Sequence, residues 1–524
     1  MRRHGLLVAV LSLLGCLAAA GLAQAAQEAG EKQGGARAAR PPVVILILDE
    51  FQLDTLLRPD GSIDAARYPS FARLAATSTW YPNTTTVFDS TFQAVPAILD
   101  AKNPQKGTPA DRRAHPVSID QLFARHGYGV VDSEPGSALC PPSICPGARS
   151  RRPSVLARLA GGGRPARLAR WIHSIRPRAR PTLYLQHALL PHEPWIYLPS
   201  GKQSRPPGND PIEGINREEG FQDPQLTRHN EQRHLLQVGF VDHQVGKLLD
   251  RLASTRLLDR ALLVVTADHG YSFEVGVRDR RKVTPSNIHA IAPVPMFVKL
   301  PGQRRRRVDP RYARNLDLVP TVADVLNMRI PWRHDGRSFV AGRPRAQRSI
   351  SMPTRDFRRV VSIGTAELAR RRRATRLTRA RLFGTGFESA LLTGSPWGTL
   401  YRIGPHPELL GRTVGELRIR RSSTPRVRVA NAGLLAGVRR RARLVPTRVT
   451  GAIEPGSPGR RRALAVALNG RVAAVGRSFS LRGRAKEYFS FMVPEDSLRV
   501  GANRLELFEV ERGGVLRRLP QRIL

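Results

Sequence analysis

Residues Leu262-Leu263-Val264-Val265 run without a break into Thr266-Ala267-Asp268-His269-Gly270. A short apolar run rich in valine is the pattern of a strand covered on both faces, as in a parallel sheet. Asp268 and His269 then stand at the carboxyl end of that strand, where open α/β sheets place their ligand sites. A second run has the same form, Val43-Val44-Ile45-Leu46-Ile47-Leu48 meeting Asp49-Glu50 directly. Asp and His are also ordinary turn residues, so either run alone says little. Two such strands, each ending in metal-ligand residue types, predict one cation held between neighbouring strand ends.

Further strands are predicted at residues 129–132, 182–185 and 294–298. Helices are predicted to begin at Tyr68 and Thr91 and to cover residues 119–126, 154–175, 235–252 and 317–326. The alternation to about Phe339 predicts an α/β domain over residues 41–341, built on a doubly wound, mostly parallel sheet. Residues 201–226, rich in Pro, Gly and charge, form a loop long enough to serve as an active-site lid. Residues 342–450 read as a linker and an unassigned region. Residues 463–469, 489–493 and 505–510 alternate as strands do, with turns at Asn469-Gly470 and Gly501-Ala502-Asn503. They predict a small β-sandwich-like domain over residues 451–524.

The chain has 524 residues, enough for two or three domains, and 85 Lys and Arg against 42 Asp and Glu give it a formal charge of +43. Such a balance suits nucleic acid or an anionic envelope surface. The Arg clusters at 304–307, 370–373, 439–441 and 460–462 are scattered and not interleaved with aromatics, so no nucleic-acid partner is expected. They read instead as a coding bias toward Arg. Residues 1–25 have the form of an export signal: Arg2-Arg3, an apolar core over 6–14, then Ala23-Gln24-Ala25 as a small-x-small cleavage site. Leu13-Leu14-Gly15-Cys16 also has the form of a lipoprotein signal, and residues 5–26, left uncleaved, are long enough to span a bilayer. Residues 26–40 read as a flexible leader. All three readings place the protein outside the cytoplasm, free or tethered through its N-terminus. In that compartment Cys140 and Cys145, five positions apart, are expected to form a disulfide.

In this order, a strand ending in acid, a Thr/Ser-rich helix start and a late strand ending in Asp-His-Gly resemble the alkaline phosphatase superfamily. The resemblance is to its sulfatase-like branch, with arylsulfatases, lipoteichoic acid synthases and phosphoethanolamine transferases. It covers about residues 42–339 and takes in Asp317-Leu318-Val319-Pro320-Thr321 and Asp335-Gly336-Arg337-Ser338. What it implies is a site in which Asp49, Glu50, Thr91, Asp268 and His269 hold a divalent metal. Thr91, in Thr91-Phe92-Gln93-Ala94-Val95-Pro96, stands where the transferases carry their nucleophile, with Ser90 as second choice. His192, in Leu190-Pro191-His192-Glu193-Pro194-Trp195, resembles a substrate-side histidine. His289 or Lys282 would be a further substrate-side group. His187, His234 and His243 are expected to be structural. The Cys/Ser-x-Pro-x-Arg run of formylglycine sulfatases is absent, which favours phosphoryl-type transfer by a Thr nucleophile.

The residue types agree with that chemistry. Carboxylate and imidazole donors suit Zn, Mn, Mg or Ca. A bound metal lowers the pKa of a coordinated hydroxyl, a helix start favours an oxyanion, and His192 can protonate a leaving oxygen. The expectation is an exported, metal-dependent hydrolase or transferase. Its substrate would be an anionic ester, phosphate-type before sulfate, with envelope lipids and glycans as candidates. Two other classes compete: a catalytically silent envelope scaffold, and a polyanion-binding protein whose binding is salt-dependent without turnover.

Overall fold

The structure is a computed structural model that describes residues 40–146, 163–208, 210–340 and 346–521. The expected export signal, nearly all of the leader, the first half of the 154–175 helix and most of the 342–348 linker lie outside the described residues.

Seven strands form the main sheet: β1 (Val43–Asp49), β2 (Thr79–Trp80), β3 (Gly129–Ser133), β4 (Thr182–Pro191), β5 (Leu262–Ala267), β6 (Met296–Lys299) and β7 (Arg307–Val308), in the order β3-β4-β1-β5-β6-β2-β7. The apolar run of β1 sits at the centre with every residue buried. It pairs in parallel with β4 on one side and β5 on the other, and β6 alone breaks the pattern by running antiparallel to both of its neighbours. Strand β4 continues well past the expected end at Leu185. Gln186 and His187 are buried polar residues inside a strand that goes on through Ala188-Leu189-Leu190.

Side chains alternate across β1 and divide the core in two. Val44, Leu46 and Leu48 face α1 (Pro69–Ala76), α4 (Arg164–Ser174) and the long α5 (Pro224–Ser254). Val43, Ile45 and Ile47 face α2 (Thr91–Asp100), α3 (Ile119–Arg125) and α6 (Leu318–Val325). Helices on both faces of a mostly parallel sheet make a doubly wound α/β fold.

Beyond residue 345 the chain first returns to that layer. A hairpin of Ser349–Pro353 and Val360–Gly364 leads into α7 (Thr365–Phe383) and α8 (Gly386–Thr393). Five-stranded and four-stranded sheets follow and pack face to face through Val427, Val449, Ile453, Leu464, Val466 and Leu507. These sheets recruit Ile419–Arg420 and Arg426–Ala430, upstream of residue 451. Asn469 and Gly470 both take positive φ at the tight turn between Ala463–Leu468 and Arg471–Arg477, as a two-residue hairpin loop demands. The loop expected to be a lid is instead docked. Ile212, Ile215 and Leu226 pack on Phe479 and Leu481, and Asp210 pairs with buried Arg448 at 2.7 Å.

Two of the Arg clusters do internal work rather than simply decorating the surface. Arg372, Arg376 and Arg379 lie three to four positions apart, on one face of α7. Arg372 and Arg376 close on the fully buried Asp54 at 2.9 and 2.8 Å, and Arg379 donates to the Asp54 carbonyl and to Gln52. Arg462 is likewise buried between Glu487 and Glu509. Burial alone would raise the Asp54 carboxyl, but the two guanidinium groups outweigh it and depress its pKa. Asp54→Ala strands those cations, and the expected loss is about 3–5 kcal/mol in urea unfolding. The contribution of Asp54 is fully present above the unfolded aspartate value of about 3.9. It is lost as pH falls through the depressed folded value, so wild type and Asp54→Ala should converge in stability at strongly acidic pH.

Candidate metal and nucleophile site

Strand register builds the centre of the site. With Leu48 opposite Ala267 in a parallel pair, the next residues of the two strands, Asp49 and Asp268, emerge side by side. On the other flank β4 sets His187 opposite Ile47. Asp49, His187 and Asp268 are buried, and each offers a ligand atom within 4.8 Å of the others. Asp268 Oδ1 accepts the backbone N–H groups of Glu50 at 3.1 Å and His269 at 2.6 Å, while its Oδ2 has no hydrogen-bond partner among the described residues. The His187 Nδ1 donates to Glu134 Oε1 at 3.2 Å, and its Nε2 also has no partner. A buried polar atom without a partner costs about 1–3 kcal/mol. Here two such atoms and a second carboxylate converge, which is the donor set of a divalent cation.

Protons compete for the same donors, and a bound cation would displace them. Burial first, and then the neighbouring Asp268 carboxylate, raise the Asp49 pKa. Burial opposes a charged His187, but the Glu134 hydrogen bond and the carboxylates of Asp49, Glu134 and Asp268 lift it to about 9. Glu134 is buried too, yet the hydrogen bond and charge of His187, with the Ala138 amide and the Ser137 hydroxyl, bring its carboxyl down to about 2. A carboxylate behind a ligating histidine orients the ring and raises its basicity. His187, expected to be structural, therefore sits at the centre of the cluster.

Thr91 opens α2, and its Oγ1 lies 3.3 Å from Asp49 Oδ1 and 3.4 Å from His269 Nε2. His269 gives its Nδ1–H to the Gly270 carbonyl at 2.8 Å, so Nε2 keeps a lone pair toward Thr91. Gly270 is required there by close approach, since a Cβ would stand 2.5 Å from the Ala290 carbonyl oxygen. Asn315 fixes the turn from the other side by donating to the Asp268 carbonyl at 2.8 Å. Ser90 occupies the N-cap position of α2 but makes no side-chain capping bond.

Glu50 does not join the three converging ligands. Its backbone leaves β1 with φ 59°, and its two oxygens are taken by Arg280 at 2.9 Å each. Burial would raise the Glu50 carboxyl, but Arg280 and then His192 and Arg281 hold it well below the usual carboxylate range. His192, immediately after β4, points Nε2 at Glu50 Oε1 at 3.3 Å and gives Nδ1–H to the Glu193 carbonyl. Its loop is held by Arg164, which donates to the Leu189, His192 and Glu193 carbonyls, and by Gln237 of α5. The two remaining candidates stand apart. Lys282 is exposed, and His289 turns Nε2 to Thr375 of α7 at 3.1 Å. His234 is buried against the Tyr271 hydroxyl.

The downstream hairpin completes the walls. Arg355 donates Nε–H to Asp89 Oδ1 and Nη2–H to the Asp89 carbonyl, each at 3.0 Å, and pairs with Asp279. It thereby ties the approach to Thr91 to the segment that carries Arg280. Beside the helix start, Phe88, Phe92, Lys106, Arg355 and Arg358 line a pocket of about 350 Å³. Cys140 and Cys145 are bonded, with their Cα atoms 6.0 Å apart.

A model of the sulfatase family matches residues 41–328, more than half of the chain. A 2,3-bisphosphoglycerate-independent phosphoglycerate mutase of Antithamnion sp. is 27% identical over 141 residues, 25% of this chain and 26% of that protein. A choline-sulfatase of Rhizobium meliloti (strain 1021) is 30% identical over 120 residues, 22% of each. The chain thus spans about a quarter of the length of the curated relatives it matches. Among solved structures, a phosphonate monoester hydrolase of Agrobacterium radiobacter aligns with a TM-score of 0.43 at 14% identity, over 64% of this chain and 83% of that one.

The cluster predicts metal-linked stability. Saturating metal-stripped protein with Mn²⁺ or Zn²⁺ at about a hundredfold over Kd should stabilise it by about 2.7 kcal/mol, read as a rise in unfolding midpoint. Asp268→Asn and His187→Ala should each remove most of that rise, and Lys282→Ala and His289→Ala should leave it. A rise that survives both Asp268→Asn and His187→Ala would put the cation elsewhere.

Proposed function

The chain belongs to the sulfatase family, within the alkaline phosphatase superfamily, and on that premise we propose that it is a metal-dependent ester hydrolase or transferase with Thr91 as its nucleophile. The observation that carries the reading is the Thr91 hydroxyl, set between the Asp49 carboxylate and Nε2 of His269 at 3.3 and 3.4 Å. Phosphate-type esters are the preferred substrates and sulfate esters the second. The missing formylglycine run and the presence of threonine both support that order.

Asp49, His187 and Asp268 would hold the cation, with His269 Nε2 turned toward the same side. The bound metal would supply Lewis-acid stabilisation for the transferring group and a lowered pKa for a hydroxyl beside it. The chain's own residues do the rest. Thr91 Oγ forms a bond to the phosphorus as the bond to the leaving alcohol oxygen breaks, and its proton passes to Asp49 or His269. Arg280 and His192 both meet the Glu50 carboxylate next to the cluster. With Nδ1–H committed to Glu193, His192 can donate a proton to the leaving oxygen only through a protonated Nε2; burial lowers its pKa, and Glu50 and then Asp49 only partly offset that, so the proton arrives with the anionic substrate. A water or a second alcohol then attacks the phosphorus of the phosphothreonine ester and gives its proton to His192; the P–Oγ bond breaks, and Asp49 or His269 returns the first proton to Thr91. The pocket beside Phe88, Phe92, Lys106 and Arg358 offers aromatic faces and two cations to the remote part of an anionic ester. Action outside the cytoplasm accords with the Cys140–Cys145 bond. No helix among the described residues is long and apolar enough to cross a membrane.

A turnover screen on phosphate mono- and diesters and sulfate esters, with metal supplied, tests the reading. Thr91→Ala should abolish turnover while unfolding within about 2 kcal/mol of wild type. Ser90→Ala should lower turnover much less, and rapid quenching of wild type should trap a modified Thr91 peptide. If Thr91→Ala turns over near normally, the nucleophile is another group. If Ser90→Ala is also active, direct attack by an activated water is the better account.

A further inference from the structure

Helix α8 is built inside out. Both ends are capped: Thr385 Oγ1 accepts the Glu388 N–H at 3.3 Å, the Glu388 carboxylate accepts the Thr385 N–H at 2.8 Å, and Gly394 closes the helix at φ 74°. A capping box and a left-handed glycine are the strongest local signals a short helix can carry. The inward side of this helix nevertheless holds small and polar residues. The Gly386 N–H donates to Asp64 at 2.7 Å, and a Cβ there would meet Asp64 Oδ1 at 2.6 Å. Ser389 Oγ donates to the Ser395 carbonyl and accepts the Thr399 N–H. The outward arc carries Phe387, Leu391 and Leu392, which are 68%, 78% and 73% exposed. A surface helix of a globular protein has the reverse arrangement, and large apolar side chains grouped on a rigid element mark an interaction site.

We propose that this face docks on an anionic lipid bilayer. Charge selects the occupant. The chain carries +43, and Arg381 is exposed in the last turn of α7, just before α8. Where α8 ends, Leu392 and Thr393 line a groove together with Arg402, Arg471 and Arg499 and with Glu495 and Asp496, of which Glu495 is already paired with Lys202. Apolar side chains flanked by cations match the interfacial zone of a membrane, where tips enter the acyl boundary and Arg meets anionic headgroups. A second copy fits poorly, because two strongly positive chains would repel across the contact. A stable protein interface also needs about 800 Å² from each partner, far more than the outward arc of one eight-residue helix.

The test is partition of the full-length protein onto vesicles, with wild type and a Phe387→Asp/Leu391→Asp/Leu392→Asp variant side by side. Wild type should bind phosphatidylglycerol-containing vesicles and bind pure phosphatidylcholine much more weakly. Binding should fall steeply at about 1 M salt, where the screening length is only about 3 Å. The triple variant should lose roughly tenfold or more in partition, because three large side chains no longer leave water. Its midpoint and ester turnover should match wild type, since these residues touch neither the core nor the site. Because both proteins share residues 1–39, any contribution of that segment cancels in the comparison. Equal partition of the two proteins, or no preference for anionic lipid, overturns the proposal. So does a wild-type dimer in solution that the triple variant dissociates, which would assign the face to a second copy.

Discussion

Adjacent parallel strands force carboxylates together at one end of the main sheet, and the rest of the site answers that crowding. Asp49 and Asp268 are neighbours because Leu48 and Ala267 are. Both are fully desolvated, and like charges in a dry site raise each other's protonation cost. The surroundings supply compensation in layers: the amides of Glu50 and His269 on Asp268, imidazole from His187, and Arg280 on the adjoining Glu50. What remains unmet after these contacts is one carboxylate oxygen and one ring nitrogen. The proposed metal affinity would thus be the residue of a solvation problem that the fold creates and only partly solves.

The same logic explains how so basic a chain keeps a sheet core. A guanidinium group offers five donors in a planar fork and stays charged when buried. Arg164 spends that capacity on three carbonyls of the loop around His192, Arg280 on Glu50, Arg372 and Arg376 on Asp54, and Arg462 on two glutamates. These buried guanidinium groups act as scaffolding, and most of the other Lys and Arg among the described residues stay exposed or half-buried.

The sequence made the sheet legible wherever burial was written in consecutive apolar residues. Strands β1 and β5 are such runs, and the ligands at their ends follow from direction alone. Thr91 was legible because a polar stretch gives way abruptly to an apolar helical pattern. His187 was not, because its value depends on register with Ile47 across two strands, and a polar pair inside β4 imitates a strand end. Glu134 shared the warning sign of the other two strands, an acidic residue just beyond an apolar run, but β3 is short and half-buried. Glu50, expected beside Asp49 as a ligand, stands outside the three converging groups because Arg280 holds its carboxylate; its φ of 59° is a backbone turn that no pattern of residue types encodes. Arg280 and Arg355 were hidden in arginine-rich stretches where composition masks the individual residue.

Arg355 and the α7 arginines lie beyond residue 328, where the match to the family ends. During synthesis the ribosome delivers β1, Thr91 and β5 well before these groups exist. Until they arrive, Asp54 lacks its cations, and Asp89 keeps the Val283 N–H but not Arg355. The shared portion of this protein is therefore not a portable module. A graft that ended at the family boundary would carry every candidate ligand and still leave Asp54 and Asp89, flanking the site, without the guanidinium groups that meet them.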